Sequence, residues 1–317
     1  MFGHAQALIG SGGTTPLLTP FRRAGLSSSD PTTLWRNPLP SHAYEHRNRL
    51  VALEEVGLHY CEWGDSGPDV LIIHGIMGTG VRWDLFARSL MDDFQVIAPD
   101  LRGHGQSARA ASYQIEDYAR DMEQLIERLE LRHPIIVGHS LGEAIAMKLV
   151  GSGNVSCSRL VIVDMGAELT LDRAEGRRNG WRDTQREWGS YDELFEHIAT
   201  NALPRPDIED PAEFIFNHFE WTANGGLRER LDPGIFDFNR WVLWEDVRRI
   251  QAPTLLLRGE HSEVLPAERA ARMVDEMADI RLVEIPDTIH SLQVEEPENF
   301  NRIAGDFLRG KPDPASP

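Results

Sequence analysis

The sequence predicts an α/β fold: a mostly parallel eight-stranded sheet with helices on both faces and a helical cap inserted late in the chain. Short runs of Val, Ile and Leu recur without polar alternation, as strands covered on both faces require. Between them lie segments whose apolar residues return at helical spacing, and alternating strands and helices build a parallel sheet. The cap is read from residues 166–250, where no good strand is legible, only helical stretches rich in Trp, Phe and Arg. That segment is too long to be a bare loop within a compact fold.

The elements follow in order. Residues 1–45 are rich in Gly, Ser, Thr and Pro without a period, and read as a tail, flexible or draped over the body. Residues 46–165 and 251–312 are assigned to the core, and 166–250 to the cap. LVALEEVGLHYCEW (50–63) reads as two strands around a turn at Gly57. Six apolar runs supply the remaining strands: VLIIH (70–74), FQVIAPD (94–100), PIIVGH (134–139), LVIVD (160–164), TLLLRG (254–259) and RLVEIP (281–286). Helical spacing is visible in RWDLFARSLM and clearer in IEDYARDMEQLIERLELR, where Ile115, Tyr118, Met122, Leu125, Ile126 and Leu129 share a face. Residues 141–150 are apolar nearly all round, as in a helix wedged under its neighbours. PAERAARMVDEM and PENFNRIAGDFL follow the last two strands. A cap inserted at this point can cover the C-terminal strand edge, where α/β sheets place their ligands.

Composition bounds the function. The 317 residues carry a formal net charge of −18, the wrong sign for a nucleic-acid backbone or an anionic membrane surface. Two cysteines, Cys61 and Cys157, do not make a disulfide scaffold, and neither stands at metal-ligand spacing. No apolar run reaches the length of a membrane span. The first twenty residues lack the basic start and apolar stretch of a signal peptide, so cytoplasmic residence is the expectation. No metal-ligand cluster, phosphate loop or nucleotide fingerprint is legible, and neither cofactor nor metal is expected. The expected partner is a small-molecule substrate; the oligomeric state is not legible.

The chemistry concentrates in Gly138-His139-Ser140-Leu141-Gly142. This G-x-S-x-G run sits between a strand and a helix, the context of a nucleophile elbow. The glycines suit a turn that brings neighbouring chain too close for side chains. A serine hydroxyl needs a base, and His290, between the last strand and the last helix, is the favoured candidate. An oxyanion needs two converging N–H groups. Leu141, after the serine, supplies one, and Ile76, in the Gly-rich IIHGIMGTG, is chosen for the other; Gly75 and Gly78 would let that loop lie flat against a substrate.

With HGIMG, APDLRGHGQS, GHSLGE, the long insertion, PTLLLRGEHSEVLP and the terminal His290, residues 50–310 resemble the α/β-hydrolase superfamily. The order nucleophile, acid, histidine is also that of the superfamily. The resemblance implies an Asp after TLLLRG, in a G-x-x-D pattern. This chain has Gly259-Glu260-His261-Ser262, with serine at the acid position. Members with a serine there place the acid at the end of the preceding core strand, which is Asp164 here. Asp164 is therefore the first choice, Glu263 the alternative and Asp287 a third. Asp100 and His104 are given a structural role. Glu143 replaces a glycine common in relatives and is read as a carboxylate favoured at a helix N-terminus.

The reading is a serine hydrolase, a carboxylesterase acting on a small or medium, largely apolar ester, with some cap aromatics lining the cavity. Amide, lactone or carbon–carbon bond hydrolysis would use the same apparatus, as would a cofactor-free haloperoxidase or lyase. A non-catalytic ligand-binding homologue is the alternative of a different class. Arg173, Arg177, Arg178, Arg182 and Arg186 are read as a solvated helix face, with the sharper option that one binds a substrate carboxylate.

Overall fold

The computed structural model describes residues 46–169, 186–201, 211–237 and 240–311. The tail assigned to residues 1–45 lies outside them, as do Trp181, Phe238, Arg173, Arg177, Arg178 and Arg182. One eight-stranded sheet contains β1 (Arg47–Ala52), β2 (Gly57–Trp63), β3 (Asp69–Ile73), β4 (Gln95–Pro99), β5 (Ile135–His139), β6 (Arg159–Val163), β7 (Thr254–Gly259) and β8 (Ile280–Ile285). Their spatial order is β1-β2-β4-β3-β5-β6-β7-β8. The β1–β2 and β2–β4 pairs are antiparallel, and every other neighbour is parallel.

The unbroken apolar runs conceal a period of two. In β3, Leu71 and Ile73 join the core on one face while Val70 and Ile72 join it on the other; Leu160 and Ile162 oppose Val161 and Val163 in β6 in the same way. Both faces are covered, so both sets must be apolar. β8 departs from this. It is one of the two edge strands and only Ile285 is buried along it, with Glu284 on the exposed strand paired to Arg258. Edge strands carry charge that discourages pairing with another chain.

Helices cover the two faces. α1 (Asp84–Leu90) and α9 (Pro297–Leu308) bring Phe86, Leu90, Phe300 and Leu308 to one. α2 (Ile115–Arg128), α3 (Leu141–Gly151), α6 (Trp244–Arg249) and α7 (Ala267–Glu276) bring Tyr118, Ile145, Val247 and Met273 to the other. α2 starts on a capping box in which Gln114 and Asp117 satisfy each other's backbone N–H.

Between β6 and β7 the chain forms α4 (Tyr191–Asn201), α5 (Pro211–His218), a hairpin of Phe219–Trp221 with Leu227–Glu229, and a pairing of Glu168–Leu169 with Trp241–Val242. The sequence reading missed these strands because two or three residues are too few to show a period. Trp188, Leu194, Ile198, Ile215, Phe219 and Leu227 form a separate apolar cluster here, whereas Phe236, Trp241 and Trp244 join the main core. Most described aromatics between β6 and β7 are thus packing. α6 falls in the range assigned to the cap, yet it packs on α3: a Cβ at Gly151 would lie 2.5 Å from the Asp246 carbonyl oxygen, and Lys148 reaches the Asp246 carboxylate. Arg186 pairs with Glu193 and lies over the Trp188 ring, a structural use of that cation. Cys61 and Cys157 are free thiols. Among the described residues no helix is long and apolar enough to cross a membrane.

Candidate active site

The parallel strands β3, β5, β6 and β7 all end at one edge of the sheet, and their loops meet there. β5 stops at His139 and α3 begins at Leu141, leaving Ser140 alone at the bend with φ 54° and ψ −116°. A non-glycine residue in such a region costs on the order of 1–3 kcal/mol and persists only where the surroundings impose it. Here the Ser140 N–H donates to the Val163 carbonyl at 2.9 Å, and a Cβ at Gly142 would sit 2.0 Å from the Ile73 carbonyl oxygen. The elbow is wedged against β3 so closely that only glycine fits after it.

His290 joins Ser140 to Asp164. Its Nε2 lies 3.1 Å from Ser140 Oγ, and its Nδ1 lies 2.8 Å from Asp164 Oδ2. Asp164 is fully buried, in a left-handed backbone conformation (φ 57°) just past β6. The Gly259 N–H donates to its Oδ1 at 2.9 Å, and the Ser262 hydroxyl donates to its Oδ2 at 2.7 Å. Ser262, the residue at the position of the expected acid, therefore becomes a donor to Asp164 one strand away. Its oxygen also accepts the Leu265 N–H. Glu263 and Asp287, the other candidate acids, are exposed, and the imidazole Nδ1 is directed at Asp164.

Two further side chains hold the histidine loop, and the sequence reading missed both. Glu295 in α8 (Leu292–Glu295) accepts the N–H groups of Ile289, His290 and Ser291. The His139 Nε2–H donates to the His290 carbonyl at 3.0 Å, the two rings being 4.8 Å apart. Burial pushes the His139 pKa well below its ordinary value, with the nearby His290 adding to the effect, so the ring is a neutral donor.

The loop after β3 packs onto the elbow. A Cβ at Gly75 would lie 3.0 Å from Ser140 Cβ, so the absence of a side chain here serves the contact with the Ser140 turn. His74 fixes the loop by donating from Nδ1 to the Gly75 carbonyl at 2.7 Å and accepting the Leu101 N–H on Nε2 at 2.9 Å. Both bonds are made by the neutral ring, and burial lowers its pKa accordingly. Ile76, the chosen oxyanion donor, follows directly. Leu141, the other, is the first residue of α3, where N–H groups lack intrahelical acceptors.

Asp100 organises the neighbouring loop, accepting from Gly80 N–H at 2.7 Å, Gln106 N–H at 2.8 Å and His59 Nδ1 at 2.9 Å. Burial would raise this carboxyl, but the His59 donor and the backbone donor hold it below its ordinary range. His104 donates to the Arg102 carbonyl, and burial takes its pKa down to about 3. Both side chains thus hold backbone groups of this loop. Glu143 does more than its helix position suggests. It is fully buried, and its two oxygens accept the N–H groups of Met165 and Gly166 at 2.9 and 3.0 Å, the two residues that follow Asp164. Burial raises its pKa to about 8, with Asp164 adding to the rise and the two donors offsetting part. His218 at the end of α5 accepts from the Thr79 hydroxyl at 2.9 Å, tying α5 to the loop that carries Ile76.

Outside this constellation, Glu260, His261 and Asp287 bring ligand atoms within 4.8 Å of one another, all three residues being exposed. Exposed groups of this kind are common without an ion.

Comparison with known proteins places the chain. The profile of the alpha/beta hydrolase family matches residues 70–303. The 3-hydroxybutyrate-oligomer hydrolase of Cupriavidus necator is 28% identical over 285 residues, covering 82% of this chain and 97% of its own. The 2-(acetamidomethylene)succinate hydrolase of Mesorhizobium japonicum is 30% identical over 276 residues, covering 82% and 95%. A solved structure of E-2-(acetamidomethylene)succinate hydrolase superposes with a TM-score of 0.73 at 24% identity, over 83% of this chain and 99% of that one, a likeness of fold. The elbow, the strand order and these matches agree: the chain belongs to the alpha/beta hydrolase family.

Proposed function

We propose that the protein is a serine hydrolase that cleaves a carboxylic ester through an acyl-enzyme. The observation that carries this reading is the unbroken hydrogen-bonded chain Ser140 Oγ, His290 Nε2, His290 Nδ1, Asp164 Oδ2. Ser140 Oγ attacks the ester carbonyl carbon while its proton passes to His290 Nε2. The Ile76 and Leu141 N–H groups hold the oxyanion, a contribution worth about 10²–10³ in rate per donor. Collapse of the tetrahedral intermediate breaks the carbon–oxygen bond, and the imidazolium returns its proton to the departing alcohol. Water, deprotonated by the same imidazole, then attacks the acyl-enzyme and releases the acid. Asp164 keeps the imidazole in the Nδ1–H tautomer and stabilises its cation.

Met77 and Ile289, exposed at 39% and 59%, adjoin Ile76 and His290, which supports an apolar group near the scissile bond. Several relatives are named esterases, among them the bifunctional esterase/perhydrolase of Acinetobacter calcoaceticus and an esterase of Mycobacterium tuberculosis. Residues from α4 to the hairpin would form the cap over the site. Labelling by a fluorophosphonate probe tests the nucleophile, with Ser140→Ala as control; a panel of esters, amides, lactones and β-diketones tests the bond. Absence of labelling, or turnover restricted to β-diketones, would overturn the ester reading.

A further inference from the structure

Arg230 follows the hairpin strand Leu227–Glu229 and stands where the cap meets the core. Its N–H donates to the His218 carbonyl at 2.7 Å, and His218 in turn bonds Thr79 on the loop that carries Ile76. On its other side Leu231 pairs with His104, and the Asp232 N–H donates to the Gly103 carbonyl at 2.8 Å. The backbone of Arg230 is thus held between the oxyanion loop and the loop organised by Asp100.

Its side chain is half-buried, and Nε is closed to solvent with no hydrogen-bond partner. Burial lowers the guanidinium pKa, with Glu220 and Asp100 offsetting part of the effect. Both carboxylates are engaged elsewhere: Glu220 with Arg228 and Arg109, Asp100 with His59 and two backbone donors. The junction contains a second unmatched atom, Nε2 of the fully buried His104. Desolvating a cation without a bonded anion is costly. A half-buried guanidinium with an unmatched Nε, on a segment whose backbone is bonded through His218 to the loop that carries Ile76, has the charge and planar donor set that bind a carboxylate.

Resting on the hydrolase reading, we infer that Arg230 binds a carboxylate of the substrate, so that the natural substrate is an ester whose acyl or alcohol part ends in an anionic group. The scissile ester lies at Ser140, the apolar middle passes the Met77 and Ile289 side, and the carboxylate reaches the cap junction. The charge recognises the remote end and takes no part in bond cleavage, so it sets specificity.

The test compares 4-nitrophenyl monoesters of succinic, glutaric and adipic acids with neutral 4-nitrophenyl alkanoates of equal chain length. Its readout is the anionic-to-neutral ratio of kcat/KM, which partial unfolding of a variant leaves unmoved. For at least one chain length the ratio should fall about 10- to 100-fold in Arg230→Met, the range of a charge-assisted hydrogen bond, and Arg230→Lys should retain part of it. An unchanged ratio in Arg230→Met overturns the inference. Calorimetry of monomethyl glutarate on Ser140→Ala protein, with and without Arg230→Met, reads the same contact without turnover. Binding lost with Arg230→Met supports it, and absent or equal binding overturns it. Failure of the hydrolase reading shows separately, as absence of fluorophosphonate labelling and of turnover in either ester series.

Discussion

Glu143 gives the protein a stability that falls as pH rises toward 8, and Glu143→Gln should remove that slope. The carboxyl is fully buried at the start of α3, accepts two backbone N–H groups from the turn after Asp164, and feels the Asp164 charge. Its folded-state pKa is raised from 4.5 to about 8. The folded protein therefore binds the proton more tightly than the unfolded chain does. The stabilisation is complete below pH 4.5 and is lost as pH rises through about 8. At about 1.4 kcal/mol per unit, the whole span corresponds to roughly 5 kcal/mol. The buried His74, His104 and His139 have lowered pKa values and contribute with the opposite sign, gaining stability as pH rises to their unfolded value of 6.5. From pH 6.5 to about 8 the histidine contributions are level, and Glu143 should remove about 2 kcal/mol from the wild type. Glutamine offers one acceptor where the carboxyl offers two, so one peptide N–H loses its partner at a cost of about 1–3 kcal/mol. Glu143→Gln should accordingly be less stable than wild type at the acid end of the window, and the gap should close by about 2 kcal/mol toward its alkaline end. Urea unfolding at half-unit pH steps measures both curves. Parallel curves for the two proteins would refute the assignment of the slope to this carboxyl.

Three other outcomes are expected. Asp164→Asn should lower kcat by about 10⁴, the size seen when a catalytic imidazole is held in the wrong tautomer, while Glu263→Gln keeps wild-type kcat; the reverse result would move the acid to position 263. Glu295→Ala removes the common acceptor of three consecutive N–H groups around His290, and kcat should fall about 10-fold with KM little changed, given the sensitivity of rate to small misplacements; an unaltered kcat would show that His139 and Asp164 hold the ring unaided. His218→Phe removes the acceptor for the Thr79 hydroxyl and should raise KM more than it lowers kcat in steady-state ester hydrolysis, because it loosens the hold of α5 on the loop that carries Ile76; an equal loss in both would give His218 a role in the chemical step.

What could be read in advance was whatever local pattern dictates. β3, β5, β6 and β7 are short apolar runs of parallel strands buried on both faces, and the run itself announces them. The elbow was legible because its constraint is local: Gly138, Ser140 and Gly142 lie within five residues, and the space around Gly142 excludes a side chain. The two cap strand pairs were missed because nothing periodic fits in two or three residues. Glu143, Glu295 and His218 were missed or underread for a different reason. Each makes contacts that folding alone brings near, such as Met165 and Gly166 for Glu143 or Thr79 for His218, and a lone Glu or His in a sequence carries no mark of such an approach.

Position 262 lies between these cases. The serine there was visible as a departure, and family resemblance redirected attention to Asp164. Neither shows what the departure does. In the folded chain the Ser262 hydroxyl is 2.7 Å from Asp164 Oδ2, and that oxygen also faces His290 Nδ1. An aspartate at 262 would place a second carboxylate against the first, and like charges at that distance cannot both ionise readily. With Asp164 at the end of β6, a neutral donor at 262 is what the site accommodates, so the two residues have to be understood as one choice about where the negative charge sits.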